Sequence, residues 1–299
     1  MHNPPWYGYN LDETTTKAIE EGNFASVILS SWGTGEMSLI AAVYVNERFD
    51  LFEALWALGA TMAAEDLTSI IWYTSDADAA HVDFLLARGV PHSAATLYAA
   101  LCYKKWQIVQ MLLNYGVDTK TYYDPSRQIS VLHTVAWAGN AVITERLLQM
   151  GAEVDNRDID GMTPLMKICD GEYQYRIETL RIIECLLKYG ADPNATAPSG
   201  ETALLLCCRA HLHNKLDPLI SRSEIARLLL HYGASPDVIS SRGITPLMMA
   251  TRYSNVAFAC ELLAANASIE IRTPEGTSAL DIAKKWNCTE ILALFAART

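Results

Sequence analysis

Apolar residues along this chain recur on a helical beat that stops and restarts. Leu165, Ile168 and Cys169 fall on one face of a short helix, and Ile182, Ile183, Leu186 and Leu187 fall on one face of a second. The couplet returns with Leu204, Cys207 and Cys208 followed by Leu229 and Leu230, and again with Leu247 followed by Leu262 and Leu263. Two short amphipathic helices cannot bury their stripes alone. Stacking successive pairs turns the stripes into one continuous core, so the pattern predicts a repeat array rather than an ordinary globular domain.

Fixed residues bracket each couplet. Gly161-Met162-Thr163-Pro164-Leu165 opens one and Leu186-Leu187-Lys188-Tyr189-Gly190-Ala191 closes it. Gly200-Glu201-Thr202-Ala203-Leu204 and Gly243-Ile244-Thr245-Pro246-Leu247 open the next two, closed by Leu229-Leu230-His231-Tyr232-Gly233-Ala234 and Leu262-Leu263-Ala264-Ala265-Asn266-Ala267. This frame resembles the ankyrin repeat, from about Thr15 to the C-terminus and most regularly from Ser130 onward. The resemblance implies an all-α, curved solenoid of helix-turn-helix units with β-turn fingers and a capping repeat at each end. The expected organisation is an irregular segment, residues 1–11, and a single repeat domain, residues 12–299. Within it lie an N-terminal cap of two helices (12–33, the second carrying Ile28), degenerate repeats (34–129), regular repeats (130–274) and a C-terminal cap (275–299).

Aligned on the threonine slot of the frame, the repeats start at Ser38, Thr68, Ala95, Ser130, Thr163, Thr202, Thr245 and Ser278. From the closing glycine to that slot there are 12 residues at Gly151, Gly190 and Gly233, but 9 at Gly59 and 6 at Gly89, so the early fingers are clipped. The finger between Gly116 and Ser130 is long and carries Tyr122 and Tyr123. Closing glycines are expected in the left-handed cap conformation, with Asn266 as the next best residue there. Pro164 and Pro246 suit the first position of a helix, where the missing N–H is no loss.

Charge narrows the partners. A net charge of −11 argues against nucleic acid or an anionic membrane, both of which reward clustered lysine and arginine. No run approaches a membrane span and the start lacks a secretory leader, so the expected location is the cytoplasm or nucleus. Seven cysteines form no zinc-ligand spacing, and Cys169, Cys207 and Cys208 take slots for small buried residues. No cofactor or metal is expected; His211, His213 and Asp217 share a loop with non-specific spacing.

The resemblance also implies a binding face: the concave side, built from finger tips and the last residues of each first helix. Here that row includes Tyr103, Trp137, Asp170, Arg209, Arg252, Tyr253, Lys285 and Trp286, with Tyr122 and Tyr123 on the long finger. The leading expectation is therefore a non-catalytic interaction protein that binds a protein or peptide partner there. The alternative is a small-molecule binder or enzyme, a cyclase, isomerase or hydrolase. It would use an aromatic pocket in the irregular first half that takes a small aromatic or apolar ligand. Trp72, Tyr103 and Trp137 would line it, with Asp76, Tyr98, His133 and Cys102 as catalytic groups. At His133 the frame predicts a bracing role instead.

Overall fold

The computed structural model describes residues 28–31, 35–45, 49–57, 59–76, 79–120, 127–170, 177–209 and 222–298. The N-terminal segment with the first cap helix, Tyr122, Tyr123, His211, His213 and Asp217 lie outside the described residues. The chain divides into two compact units, Met1–Thr121 and Tyr122–Thr299.

The first unit opens with an antiparallel hairpin, β1 (Ile28–Ser31) and β2 (Gly35–Ser38), in which Ile28 faces Ser38 and Ser31 faces Gly35. Ile28 is thus on a strand, not on a cap helix. Six helices follow: α1 (Leu39–Val45), α2 (Phe49–Ala57), α3 (Ala64–Tyr73), α4 (Ala79–Ala87), α5 (Ala94–Cys102) and α6 (Trp106–Asn114). First helices pack on first helices, α1 on α3 and α3 on α5, while α4 packs on α6. Phe52, Leu55, Leu67, Ile71, Leu85, Leu97, Ile108 and Leu112 are fully buried between them. Around Phe52 gather Tyr44, Trp56 and Phe84, at centroid distances of 5.1, 5.6 and 6.1 Å.

Here the alignment of the early repeats needs correction. Helix α3 is preceded by Ala63, four residues after Gly59, and α5 by Ser93, four residues after Gly89. Thr68 and Ala95 lie inside helices. The start is set by a carboxylate and a hydroxyl three residues into each helix: Ala63 N–H donates to Asp66 Oδ2 (2.9 Å) and Ser93 N–H to Thr96 Oγ1 (3.1 Å). Thr68 instead donates to Ala64 O and meets Thr96 Oγ1 at 2.9 Å across the repeat boundary. These repeats have no finger at all. The residues assigned to it lengthen the first helix, which runs ten residues in α3 and nine in α5 against seven in most later repeats.

The second unit holds α7 (Val131–Ala138), α8 (Ala141–Gln149), α9 (Pro164–Asp170), α10 (Ile177–Lys188), α11 (Ala203–Arg209), α12 (Arg222–His231), α13 (Pro246–Arg252), α14 (Val256–Ala264), α15 (Ala279–Lys285) and α16 (Thr289–Ala296). Odd-numbered helices pack on their odd-numbered neighbours and even on even, which makes an all-α repeat solenoid. Ser130, Thr245 and Ser278 cap their helices by accepting from the backbone N–H three residues on, as the frame predicts, and Pro246 follows at the first position of α13.

Fingers tie one repeat to the next. Asp192 N–H donates to Asp155 Oδ2 (2.9 Å), Asn194 spans to Gly233 O (2.9 Å) and Ser235 N–H (2.7 Å), and Ser268 N–H donates to Asp237 Oδ1 (2.8 Å). At the tips, Gly161 lies against Pro198, Gly200 against the backbone of Ser241, and Gly243 against Pro274, so tightly that a Cβ at any of the three would collide. The closing glycines differ: Gly190 has φ +91° with open space beyond, and Asn266 takes the same slot at φ 65°.

Candidate functional site

In the first unit the C-terminal ends of α3 and α5 bring Trp72 and Tyr103 together edge to face, with ring centroids 5.0 Å apart. Tyr103, which caps α5, is 48% exposed. Between them lies a residue that local pattern does not reveal. Lys105 is buried, and its ammonium donates to the carbonyls of Ile71 and Trp72, the latter at 3.1 Å, while sitting 5.2 Å from the centre of the Tyr103 ring. These carbonyls belong to the last turn of α3, where a cation is favoured by the helix dipole. Burial pushes the ammonium's pKa down, and the carboxylate of Asp76 pulls it back up.

Asp76 has the complementary task. Its Oδ1 accepts from the backbone N–H of Gln107 (3.0 Å) and Ile108 (3.3 Å), which puts a carboxylate at the start of α6. Asp76 and Lys105 therefore cap each other's repeat at opposite helix ends. They strap together two units that lack fingers. Tyr98 hydrogen-bonds the Cys102 sulfur one turn on; that bond lowers the thiol's pKa, but burial outweighs it and the net shift is upward. A thiol held protonated is a poor nucleophile. Of the four candidate catalytic residues, three are thus engaged in helix capping or local packing.

The fourth, His133, belongs to the second unit and is buried. Its Nε2 lies 3.0 Å from the carbonyl of Met162, which can only accept, so Nε2 carries the proton. Nδ1 then accepts from the Ser130 hydroxyl at 2.8 Å. This is the bracing geometry expected of that slot, with the ring fixed between its own helix start and the next finger. Burial holds its pKa below the usual histidine value, against the pull of the Met162 hydrogen bond.

Along the first-helix ends of the second unit the predicted row is partly neutralised. Arg209 reaches back to Asp170 Oδ1 (2.8 Å) and to the carboxylate of Glu201 on its own repeat. Asp170 and Arg209 are therefore partners of each other. Trp137 on α7 is 40% exposed. Beyond Arg209 come Arg252, exposed at the end of α13, then Tyr253, half-buried, and Lys285 with Trp286, the latter 60% exposed at the end of α15. Fingers flank this row: Lys167, one turn into α9, pairs with Asp158 Oδ2 (2.9 Å) and Asp160 Oδ2 (3.4 Å) at the tip of its own finger.

Among the described residues no group of histidine, cysteine, aspartate or glutamate is placed to hold a metal ion, and no helix is long and apolar enough to cross a membrane. A family model described as ankyrin repeats (3 copies) matches residues 132–236 and 219–298, more than half of the chain. No curated protein matches it.

Proposed function

Since the chain belongs to the ankyrin-repeat family, whose repeats generally mediate protein–protein interaction, we propose that it is a non-catalytic interaction protein that holds a protein or peptide partner along its first-helix ends and adjoining fingers, the concave side of such an array. One observation carries this reading: within the second unit, large aromatic side chains stand exposed at that same place in separate repeats, Trp137 and Trp286. Exposed aromatics at recurring positions are what interfaces use as anchors. Arg252 and Tyr253 continue the row. The reading places the protein in the cytoplasm or nucleus, in keeping with Cys169, Cys207 and Cys208, which are buried and not joined in disulfides.

A photo-crosslinking residue substituted for Trp137 or Trp286, and for Tyr189 and Met150 at the second-helix ends, tests it in cells. The expected result is one shared adduct from the first two positions and none from the others. Adducts from Tyr189 and Met150 alone would move the interface to the opposite edge.

The second reading, a small aromatic or apolar ligand, rests on the Trp72–Tyr103 pair. Titration of small aromatic acids and amines against tryptophan fluorescence, with Trp72→Phe as control, decides it. No saturable quenching would remove it.

A further inference from the structure

Deepening the interaction reading, on which it rests, we infer that the last two repeats form a docking patch for an acidic, apolar-studded peptide segment of the partner. Cations elsewhere in the described chain are largely spoken for: Arg88 by Glu53, Lys167 by Asp158, Lys188 by Glu184, Arg209 by Asp170 and Glu201, Arg227 by Glu261, Arg272 by Asp281. Lys105, Arg157 and Arg298 are bound to backbone carbonyls. Arg242, Arg252, Lys284 and Lys285 are all exposed and have no ion-pair partner among the described residues. All four fall within two adjacent repeats of a chain whose net charge is −11.

The fold gathers them. Helices α13 and α15 pack side by side, and Cys288 locks their final turns, donating to Thr251 O (3.5 Å) and touching Ser254 Oγ (3.4 Å). Both turns pass through a left-handed residue, Ser254 at φ 51° and Asn287 at φ 52°, so Arg252 and Tyr253 are matched in place by Lys285 and Trp286. Arg242 occupies the finger position of Asp160, which reaches Lys167 at the equivalent of Met249, so by that equivalence it belongs beside α13, about one turn before Arg252. Exposed Glu275 takes the place of Arg242 on the outer finger, beside Gly276 as Arg242 is beside Gly243; Asp281 is already held by Arg272 and by Ser278.

Neighbouring helices stand about 8–10 Å apart. Alternate side chains of an extended strand share one side at roughly 7 Å, so acids two residues apart reach Arg252 and Lys285 together. An apolar residue two positions further along lies on the same side and meets Trp286, whose 60% exposure gives it a free face. A short acidic segment fits this charge field better than a long polyanion. Screening confines the attraction to about 8–10 Å, and beyond that a nucleic acid strand meets the acidic remainder of the chain.

The test is fluorescence anisotropy of the full chain with a labelled peptide of Glu-Ser-Glu-Ser-Leu-Ser repeats, which sets acids and leucine on one side, a counterpart with glutamine for glutamate, and oligothymidylate. The acidic peptide is expected to bind with salt-dependent affinity and the glutamine counterpart not to. Arg252→Glu with Lys285→Glu should weaken binding about tenfold or more. Trp286→Ala should weaken it at every salt concentration, leaving the salt dependence in place. Arg181→Glu, the same reversal at a single site and half the total charge change, on α10, should leave it unaltered, with circular dichroism confirming that each variant is folded. Absence of acidic-peptide binding, equal binding of the glutamine counterpart, an equal loss with Arg181→Glu, or tighter binding of oligothymidylate each overturns the inference. Crosslinking at Trp137 and Trp286 is read separately, so a partner captured there without acidic character sinks the charge assignment and spares the interface.

Discussion

Gly200 and Gly190 look alike in sequence, and the structure predicts that the same substitution separates them. Both have positive φ, +76° and +91°. An alanine in the left-handed region costs about 1–2 kcal/mol, and that is the whole penalty expected at Gly190, where a Cβ meets nothing within 4 Å. At Gly200 the Cβ would stand 2.8 Å from the backbone nitrogen of Ser241. A backbone atom cannot rotate away as a side chain can, so the next finger must move, at a further cost of about 1–3 kcal/mol by analogy with overpacked interiors. Gly200→Ala should therefore destabilise by about 2–5 kcal/mol and Gly190→Ala by about 1–2 kcal/mol. Urea unfolding followed by circular dichroism measures both, provided the m-value is unchanged, since repeat arrays can lose two-state behaviour. Gly190→Asn, copying Asn266, should be milder than Gly190→Ala. If Gly200→Ala and Gly190→Ala shift the midpoint equally, the fingertip contact is not restraining the fold.

Three further outcomes follow from the same geometry. Lys105→Met leaves the final carbonyls of α3 without their charged donor and should lower stability by about 1.5–3 kcal/mol, whereas exposed Lys285→Met should change it by less than about 0.5 kcal/mol; parallel melts compare them. His133 is neutral in the fold with a depressed pKa, so its contribution to stability is complete above about pH 6.5 and is lost as pH falls toward the folded value. A ring titrating at or above 6.5 by NMR would contradict the assigned hydrogen bonds. Iodoacetamide at neutral pH should label exposed Cys260 well before Cys207, whose thiol is buried and pushed up to about 12, as peptide mass spectrometry would show.

Much of the second unit was legible because its determinants are local. A cap, a proline and a closing glycine act within a turn or two of themselves, so Thr245, Pro246 and Asn266 could be placed by reading forward from each. The early repeats misled because Thr68 resembles the capping residue. The cap that acts there is the Asp66 carboxylate, reached from Ala63, and the Ser93–Thr96 pair was the readable sign of the second one. The straps made by Lys105 and Asp76 cross 34 and 31 residues, and no periodicity announces a bond of that span. The same holds for Arg209 and Asp170, which looked like two members of a charge row and are one ion pair across 39 residues.

The ladder of fingers also sets rules for how this sequence can change in length. Asp155, Asn194 and Asp237 each hold the backbone of the following repeat, and Gly161, Gly200 and Gly243 each fit a neighbour with no room to spare. One residue inserted between Gly190 and Thr202 would throw finger and ladder out of step on both sides at once. A whole repeat, duplicated from Asp155 to Ala191, would meet a matching neighbour at each end. In the stretch from Gly59 to Ser93, where the first helices follow the closing glycine after four residues and no ladder runs among the described residues, that grammar is absent. Lengthening or shortening there is constrained instead by the straps that Lys105 and Asp76 make and by contacts such as Thr68–Thr96 and Arg88–Glu53.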